Sequence, residues 1–125
     1  MVTKWAIDLD GVVTANPQAM GWLLYHLLKN ENHNQVYILT WRDGGDPGVR
    51  RNETLADLKR FGIPYNELIM APRRFTNLRT AAFWKIKMVQ QLGINIWFDN
   101  DLKSFKNYLG IDLDRLLPDV IKIYI

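Results

Sequence analysis

Ile7-Asp8-Leu9-Asp10-Gly11-Val12-Val13-Thr14 places two aspartates one residue apart at the point where an apolar run ends. Residues Lys4 to Leu9 are rich in large apolar side chains and too few for a helix, which predicts a buried strand that Gly11 ends. Side chains alternate along a strand, so Asp8 and Asp10 are expected to converge on one small volume. Buried carboxylates are costly unless they hold a metal or carry chemistry. Asp-x-Asp alone also fits a solvated pair at a strand end.

The rest of the chain alternates between helical and strand patterns. Apolar periodicity predicts helices over 17–29, 52–61, 80–92 and 102–109, and apolar runs predict strands over 35–41, 67–71, 94–98 and 120–125. Asn16 and Thr80 are candidate helix caps, and Gly93 is a candidate helix stop. This alternation favours a single α/β domain over residues 1–125, with a three-layer, Rossmann-like fold: a five-stranded parallel sheet with helices on both faces.

Composition limits the class of protein and its partners. The absence of cysteine excludes disulfides and thiolate metal sites, and no apolar run approaches the roughly 18 residues of a membrane span. Without a signal segment at the N-terminus, the prediction is a soluble, cytoplasmic protein with no membrane partner; an oligomer is not indicated. The net charge is +3, with arginines concentrated between residues 42 and 79. Such a cluster attracts phosphates and polyanions or is an ordinary solvated face.

Polar residues follow three of the predicted strands. Besides Asp8 and Asp10, Thr40 ends the second strand and Asp99-Asn100-Asp101 follows the fourth, while Lys85 lies in the preceding helix. The carboxyl ends of parallel strands meet at one edge, so these side chains can come together. Hard oxygen ligands from two strands suit Mg²⁺. One carboxylate can attack phosphorus, a second can move protons, and a hydroxyl and an ammonium can neutralise phosphoryl oxygens.

This set resembles the four motifs of the haloacid dehalogenase (HAD) superfamily. Residues 8–14 are similar to its first motif, Asp-x-Asp-Gly-x-x-Thr, and Ile38-Leu39-Thr40 is similar to its second. Lys85 matches the third motif, and residues 96–101 match the acidic fourth. The motifs occur in the family's order, and the resemblance implies a HAD-like fold and a Mg²⁺-dependent phosphatase that forms an aspartyl-phosphate.

The resemblance also implies a role for each matching residue. Asp8 would be the nucleophile and Asp10 the general acid and base, while Thr40 and Lys85 would bind the phosphoryl group. Asp8, the backbone carbonyl of Asp10, and Asp99 would hold Mg²⁺.

Two positions stay open. Asn100 and Asp101 are both candidates for the place of the second acid in the fourth motif, so Asn100 joins the predicted metal ligands. Lys87 and Arg79 are alternatives to Lys85 as the phosphate-binding base, although Lys87 lies about 200° further round a helix.

The spacing of the motifs leaves no room for the cap domains that usually select substrates in this superfamily. An uncapped site resembles those of members that act on macromolecules or rely on a partner chain. Leu39-Thr40-Trp41-Arg42 and the segments after it also resemble phosphatase domains of polynucleotide kinases. Nucleotides and nucleic-acid 3′-phosphates are therefore candidate substrates, and the predicted substrate-binding residues are Gly11, Thr40, Trp41, Arg42 and Arg73. The loop over 43–48 is either a plain turn or one that approaches phosphate.

Other classes of protein are less consistent with the sequence. A signalling receiver domain needs its phosphoacceptor aspartate after strand three, where this chain has Met70-Ala71-Pro72. A metal-dependent nuclease usually needs more carboxylates than the predicted strand ends supply. A catalytically weak or silent relative that binds phosphate or nucleic acid remains the alternative to a phosphatase.

Overall fold

A single parallel sheet forms the middle layer of the molecule. The computed structural model describes residues 1–30, 32–45 and 49–125. Within these residues the strands are β1 (Thr3–Ile7), β2 (Asn34–Asp43), β3 (Glu67–Ala71), β4 (Ile96–Asp99) and β5 (Ile121–Tyr124). The helices are α1 (Pro17–Leu28), α2 (Val49–Arg60), α3 (Leu78–Leu92), α4 (Leu102–Asn107) and α5 (Leu113–Leu116). All strand pairings are parallel, in the order β3-β2-β1-β4-β5. The predicted α/β, Rossmann-like fold is confirmed.

Helices cover both faces of the sheet because neighbouring strand residues are apolar on both sides. Ile7 of β1 belongs to a core with α1 and α2, whereas the adjacent Ala6 belongs to a second core with α3, α4 and α5. Leu24 and Leu58 fill the first core, and both are fully or almost fully buried. Burial of each such side chain contributes about 1.5–3 kcal/mol. The two cores hold the helices at fixed positions around the carboxyl ends of the strands.

The strand order reverses next to β1. The chain leaves β1 towards β2 and β3 on one side and returns to β4 and β5 on the other. Ligands in open α/β sheets bind at such a reversal, outside the carboxyl ends of the strands. Between β1 and β2 the described residues form only a turn and α1, and between β2 and α3 only α2 and β3. The described segments therefore hold no cap domain over this edge.

The first strand is shorter than predicted. Asp8 still pairs through its backbone N–H with the carbonyl of Phe98, but the N–H of Leu9 donates to the Asp8 side chain instead of continuing the ladder. A wide turn over Leu9–Val13 follows, in which Gly11 has a φ of 88°. The expected alternation of Asp8 and Asp10 along a strand is wrong because the strand ends before Asp8.

The helix ends also test the predictions. Asn16 caps α1 and Gly93 ends α3 in a left-handed conformation, both as predicted. Thr80 is not the cap of α3: its own N–H donates to the side chain of Asn77, which caps the helix at Leu78. The sequence pattern also missed the short α5. Of the predicted loop, residues 46–48 lie outside the described part of the chain.

Candidate active site

A buried lysine joins two carboxylates at the carboxyl edge of the sheet. Lys85 has no exposed surface, and its Nζ donates to Oδ1 of Asp8 at 3.1 Å and to Oδ2 of Asp99 at 2.7 Å. Helix α3 points Lys85 at the strand ends, while Lys87 is exposed and Arg79 donates to the carbonyl of Leu109. Of the three basic residues that the sequence left open, the structure brings Lys85 into contact with Asp8 and Asp99.

Both oxygens of the Asp99 carboxylate accept hydrogen bonds from protein neighbours. Its Oδ2 also accepts from Nε1 of the buried Trp97 at 3.2 Å, and its Oδ1 accepts from the N–H of Asp101 at 2.9 Å. Both oxygens therefore have donors already, and Lys85 supplies the compensating charge. Asp99 is placed to position Lys85 and the turn after β4.

Burial and neighbouring charge shift the titration of this group. Burial raises the pKa of Asp8 to about 8; the nearby Lys85 opposes that rise, and Asp99 adds to it. Burial alone would lower the pKa of Lys85, but the negative charges of Asp99 and Asp8 outweigh it and raise the pKa. Burial also raises the pKa of Asp101. Lys85 is thus held charged, and a cation beside Asp8 would favour the ionised carboxylate.

Three oxygen-bearing groups meet on the open side of Asp8. One terminal atom of the Asn100 side-chain amide lies 2.8 Å from Oδ2 of Asp8 and 3.2 Å from the backbone oxygen of Asp10. With Nδ2 in that place, the amide donates to both oxygens. With Oδ1 there instead, the Asn100 oxygen stands about 3 Å from each of the other two oxygens, which is the separation of adjacent ligands around a Mg²⁺ with bonds of about 2.0–2.1 Å. With the amide turned in this way, Asp8, the backbone oxygen of Asp10 and Asn100 could hold a magnesium ion.

A second set of acids lies close by. Asp8, Asp99 and Asp101 offer oxygens that all lie within 4.8 Å of one another. Oδ2 of Asp99 accepts from Lys85 and Trp97, whereas Oδ1 accepts one hydrogen bond, from the Asp101 N–H, and keeps a lone pair for a metal. The acids still make the surroundings negative, which favours a cation.

Gly11 is required by the approach of Asn100. A Cβ at this position would overlap the Asn100 side-chain amide, and the positive φ of 88° also disfavours other residues. The sequence predicted Gly11 to contact substrate, whereas its evident role in the structure is to make room for Asn100.

The carboxylate of Asp10 has a different partner from that of Asp8. Asp10 accepts two hydrogen bonds from Arg42, at 3.0 and 2.8 Å, and its side chain is 55% exposed. Arg42 also donates to Asp57 at 2.7 Å and to Thr54 at 3.3 Å. The hydrogen bond with Asp10, above all, raises the pKa of Arg42, with Asp57 adding to it and burial opposing it. The guanidinium predicted to bind substrate is therefore engaged in positioning Asp10.

The other predicted residues are divided between the site and its surroundings. Thr40 is buried at the carboxyl half of β2, and its hydroxyl accepts from the N–H of Arg42. The ring of Trp41 lies 4.4 Å from Nζ of Lys85 and donates through Nε1 to the carbonyl of Ala81. Arg73 is exposed, and its guanidinium lies 5.8 Å from the ring centroid of Phe75. Thr40 and Trp41 thus border the site, whereas Arg73 lies beside Phe75 and outside the Lys85–Asp8–Asp99 cluster.

Sequence reasoning missed a cleft beside this site. It has a volume of about 610 Å³ and is lined by Trp41, Asp43, Arg50, Arg74, Phe75, Thr76, Asn77, Leu78 and Ala81. The sequence signals were the arginine cluster and Trp41, which was predicted to bind substrate and lines the cleft; the structure places Arg74 rather than Arg73 there.

The site and its fold define an α/β protein with a buried lysine–aspartate cluster at the carboxyl edge of a parallel sheet. Comparison with family models, curated proteins and solved structures gives no match to this chain. Among the described helices, none has the length and apolar character needed to cross a membrane.

Proposed function

We propose that this protein is a Mg²⁺-dependent phosphatase of the HAD type that hydrolyses a phosphomonoester through an aspartyl-phosphate on Asp8. The observation that carries the proposal is the contact of Asp8 with two groups at once. Its Oδ1 accepts from Lys85, and its Oδ2 lies 2.8 Å from the Asn100 amide, which also approaches the backbone oxygen of Asp10. One oxygen is thus beside a fixed positive charge and the other beside a cation site, as an attacking carboxylate requires.

The first half of the reaction transfers the phosphoryl group to the protein. The Asp8 carboxylate attacks phosphorus, the bond from phosphorus to the ester oxygen breaks, and the leaving alcohol takes a proton from the acid form of Asp10. Lys85 neutralises charge on the phosphoryl oxygens, with the hydroxyl of Thr40 as a further donor. A magnesium ion held by Asp8, the Asp10 carbonyl and Asn100 would supply further positive charge for these oxygens and orient the phosphate.

The second half restores the protein. Asp10, now a carboxylate, takes a proton from water as that water attacks phosphorus, and the bond from phosphorus to Asp8 breaks to release inorganic phosphate. The hydrogen bonds from Arg42 hold the side chain of Asp10 in place during this half of the cycle. Protonation of the leaving alcohol requires Asp10 to turn from Arg42 towards the substrate, which its exposed side chain permits.

A weak or silent phosphate-binding module is the second candidate. It is favoured by the two hydrogen bonds that hold Asp10 on Arg42 and by an amide, Asn100, where the family's fourth motif has an acid. Such a module would bind phosphate with Mg²⁺ without turning substrate over.

The test is Mg²⁺-dependent release of phosphate from a generic aryl phosphate. Asp8→Asn is expected to abolish it, a loss of at least about 10³-fold, because the amide is a poor nucleophile. Asp119→Asn removes the same charge from an exposed turn and serves as the matched control. Turnover that persists in Asp8→Asn would refute the nucleophile assignment. Magnesium-dependent phosphate binding without turnover by the unmutated protein would favour the silent module.

A further inference from the structure

One face of the sheet changes from buried to exposed between β1 and β5. Residues paired across neighbouring parallel strands point to the same face, and the register aligns Ile7 of β1 with Phe98 of β4 and Ile123 of β5. Ile7 is fully buried in the core that α1 and α2 share, whereas Phe98 and Ile123 are only half-buried. Two residues earlier in each strand, Ile96 is half-buried and its neighbour Ile121 is 61% exposed. We call the apolar surface formed by Ile96, Phe98, Ile121 and Ile123 the exposed sheet face.

The positions of the helices explain this exposure. Helices α1 and α2 lie on this side of the sheet, and both pack against β2. Helices α3, α4 and α5 place their buried residues in the core on the opposite side, around Trp97. Ile96 and Ile123 belong to neither of the cores that the described residues form. A three-layer fold covers both faces of its sheet, so in the described chain this half of one face lacks the helix that would complete the layer.

A second exposed surface lies on α1, on the same side of the sheet. The helix buries Met20 and Leu24 and turns Trp22, Tyr25 and His26 to solvent. Trp22 is 67% exposed and Tyr25 is 56% exposed. The ring of His26 lies 4.5 Å from that of Trp22 and 5.3 Å from that of Tyr25, so the three rings form one cluster. Clustered apolar groups at a surface mark a contact site, whereas single ones do not. We call Trp22, Tyr25 and His26 the aromatic helix face.

We infer that the exposed sheet face of one molecule binds the aromatic helix face of a second copy of this chain. The two surfaces lie side by side on one side of the sheet, since α1 packs on β2 and the exposed sheet face belongs to β4 and β5. A two-fold axis between them therefore lets each molecule's helix cover the other's sheet at the same time. The second copy's α1 then takes the place of the missing helix in the layer.

The chemistry of the two surfaces favours a second copy over a charged partner. The exposed sheet face consists of three isoleucines and a phenylalanine, which offer no group to an ionic partner. The aromatic helix face presents flat rings, and the charge nearest to it is Nζ of Lys29, 6.0 Å from the Tyr25 ring, where a long side chain can stay in the solvent at the rim. A nucleic acid or an acidic peptide needs several cations in the contact itself. Aliphatic and aromatic surfaces of this kind match each other.

The exposed area suits a reversible dimer. An aromatic side chain removes about 150–250 Å² from water when it is fully covered. The exposed parts of Trp22 and Tyr25 therefore amount to about 200–300 Å² together. Because the sheet loses a similar area, one contact buries about 400–600 Å² and the two symmetric contacts bury about 800–1,200 Å². Transient complexes bury areas of this size, so the dimer is expected to dissociate on dilution.

Sedimentation velocity at protein concentrations from about 1 µM to about 1 mM tests this association. We expect a monomer–dimer equilibrium whose Kd rises about 100-fold or more in Trp22→Lys and in Ile121→Glu, because each change places an unpaired charge in an apolar contact. Tyr108→Lys and Leu116→Glu are the matched controls, since Tyr108 is 82% exposed at the end of α4 and Leu116 is exposed in α5 on the opposite side of the sheet. An unmutated protein that stays monomeric, or controls that weaken the dimer equally, would overturn the inference.

A mixture of the two variants tests the pairing of the two surfaces. In a dimer of one Trp22→Lys protomer with one Ile121→Glu protomer, one contact keeps both original residues and the other brings opposite charges together. The mixture is expected to dimerise at least about tenfold more tightly than either variant alone. A mixture with no such gain would overturn the docking of helix on sheet. Urea unfolding verifies that both variants are folded, and Tyr25→Lys provides a second change on the aromatic helix face. Dimerisation is measured without turnover, so its outcome is independent of the proposed function.

Discussion

Replacement of Lys85 by methionine is the sharpest perturbation of the candidate site. The methionine side chain is unbranched and of similar length, so it fills the space while removing the charge. Nζ of Lys85 makes two buried hydrogen bonds, to Asp8 and to Asp99, and the lysine has no exposed surface. Loss of a hydrogen bond to a charged group costs about 1.5–3 kcal/mol. Two such bonds give a total of about 3–6 kcal/mol, which includes the usual cost of about 3–5 kcal/mol for breaking a buried ion pair.

The free energy of unfolding that Lys85→Met loses is expected to increase with pH. Because the pKa of Asp8 is raised to about 8, the folded protein binds more protons than the unfolded chain between about pH 4 and pH 8, so the free energy of unfolding falls across this range as pH rises. Without Lys85, which lowers the pKa of Asp8, ionisation of that carboxylate costs more. The difference between the variant and the unmutated protein should therefore be larger at pH 8 than at pH 5.

Urea unfolding followed by tryptophan fluorescence, in EDTA at both pH values, measures these effects. The expected loss in Lys85→Met corresponds to a fall in Tm of about 10–20 °C. Lys87→Met is the control, because Lys87 is exposed two residues further along the same helix, and its change should stay within about 0.5 kcal/mol. Adding Asp99→Asn to Lys85→Met should recover part of the loss. If Lys85→Met is no less stable than Lys87→Met at pH 8, the buried cluster is absent.

Two further predictions concern the metal site. Gly11→Ala should lower the free energy of unfolding, measured in urea, by about 1–3 kcal/mol. It should also weaken Mg²⁺ binding, because the added Cβ displaces Asn100. Gly62 also has a positive φ but has open space around it, so Gly62→Ala should leave Mg²⁺ binding unchanged. Equal Mg²⁺ affinity in the two variants would contradict the role given to Gly11. The pKa of Asp8 is raised to about 8, so this carboxyl group must lose a proton before it can bind Mg²⁺ at lower pH. The Mg²⁺ affinity measured by calorimetry should therefore rise about tenfold per pH unit from pH 6 to pH 7 and level off above pH 8. A flat profile would exclude Asp8 as a ligand.

Local patterns in the sequence were sufficient to predict the fold. The apolar run of β2 and the helical stripe of α1 can each be recognised within a short segment, and the alternation of such segments leaves little choice of architecture. The cap at Asn16 and the stop at Gly93 follow from single residues with strong preferences. Thr80 failed as a cap because an equally good residue, Asn77, stands one turn earlier.

Most of the site was predictable from strand ends. Asp8 and Asp99 meet because the carboxyl ends of parallel strands meet, and this needs no side-chain detail; Lys85, in α3, followed from the family resemblance. The carboxylate of Asp10 could not be placed, because a hydrogen bond from Leu9 to Asp8 ends the strand early.

The arrangement around Arg42 depends on long-range packing. Its side chain joins Asp10 in one loop to Asp57 in α2, and no pattern within either segment indicates that meeting. The cleft at Phe75 escaped notice for the same reason, since its walls come from β2 and from the segment before α3.

The most direct test of the central claim is to trap the covalent intermediate on Asp8. The protein is incubated with Mg²⁺ and a phosphomonoester, quenched in acid and reduced with borohydride, which converts an aspartyl-phosphate into homoserine. Mass spectrometry of the peptide containing residues 8–14 is expected to show homoserine at position 8 only when Mg²⁺ and substrate are both present. Phosphate release with an unmodified Asp8, or homoserine at Asp10 instead, would contradict the account.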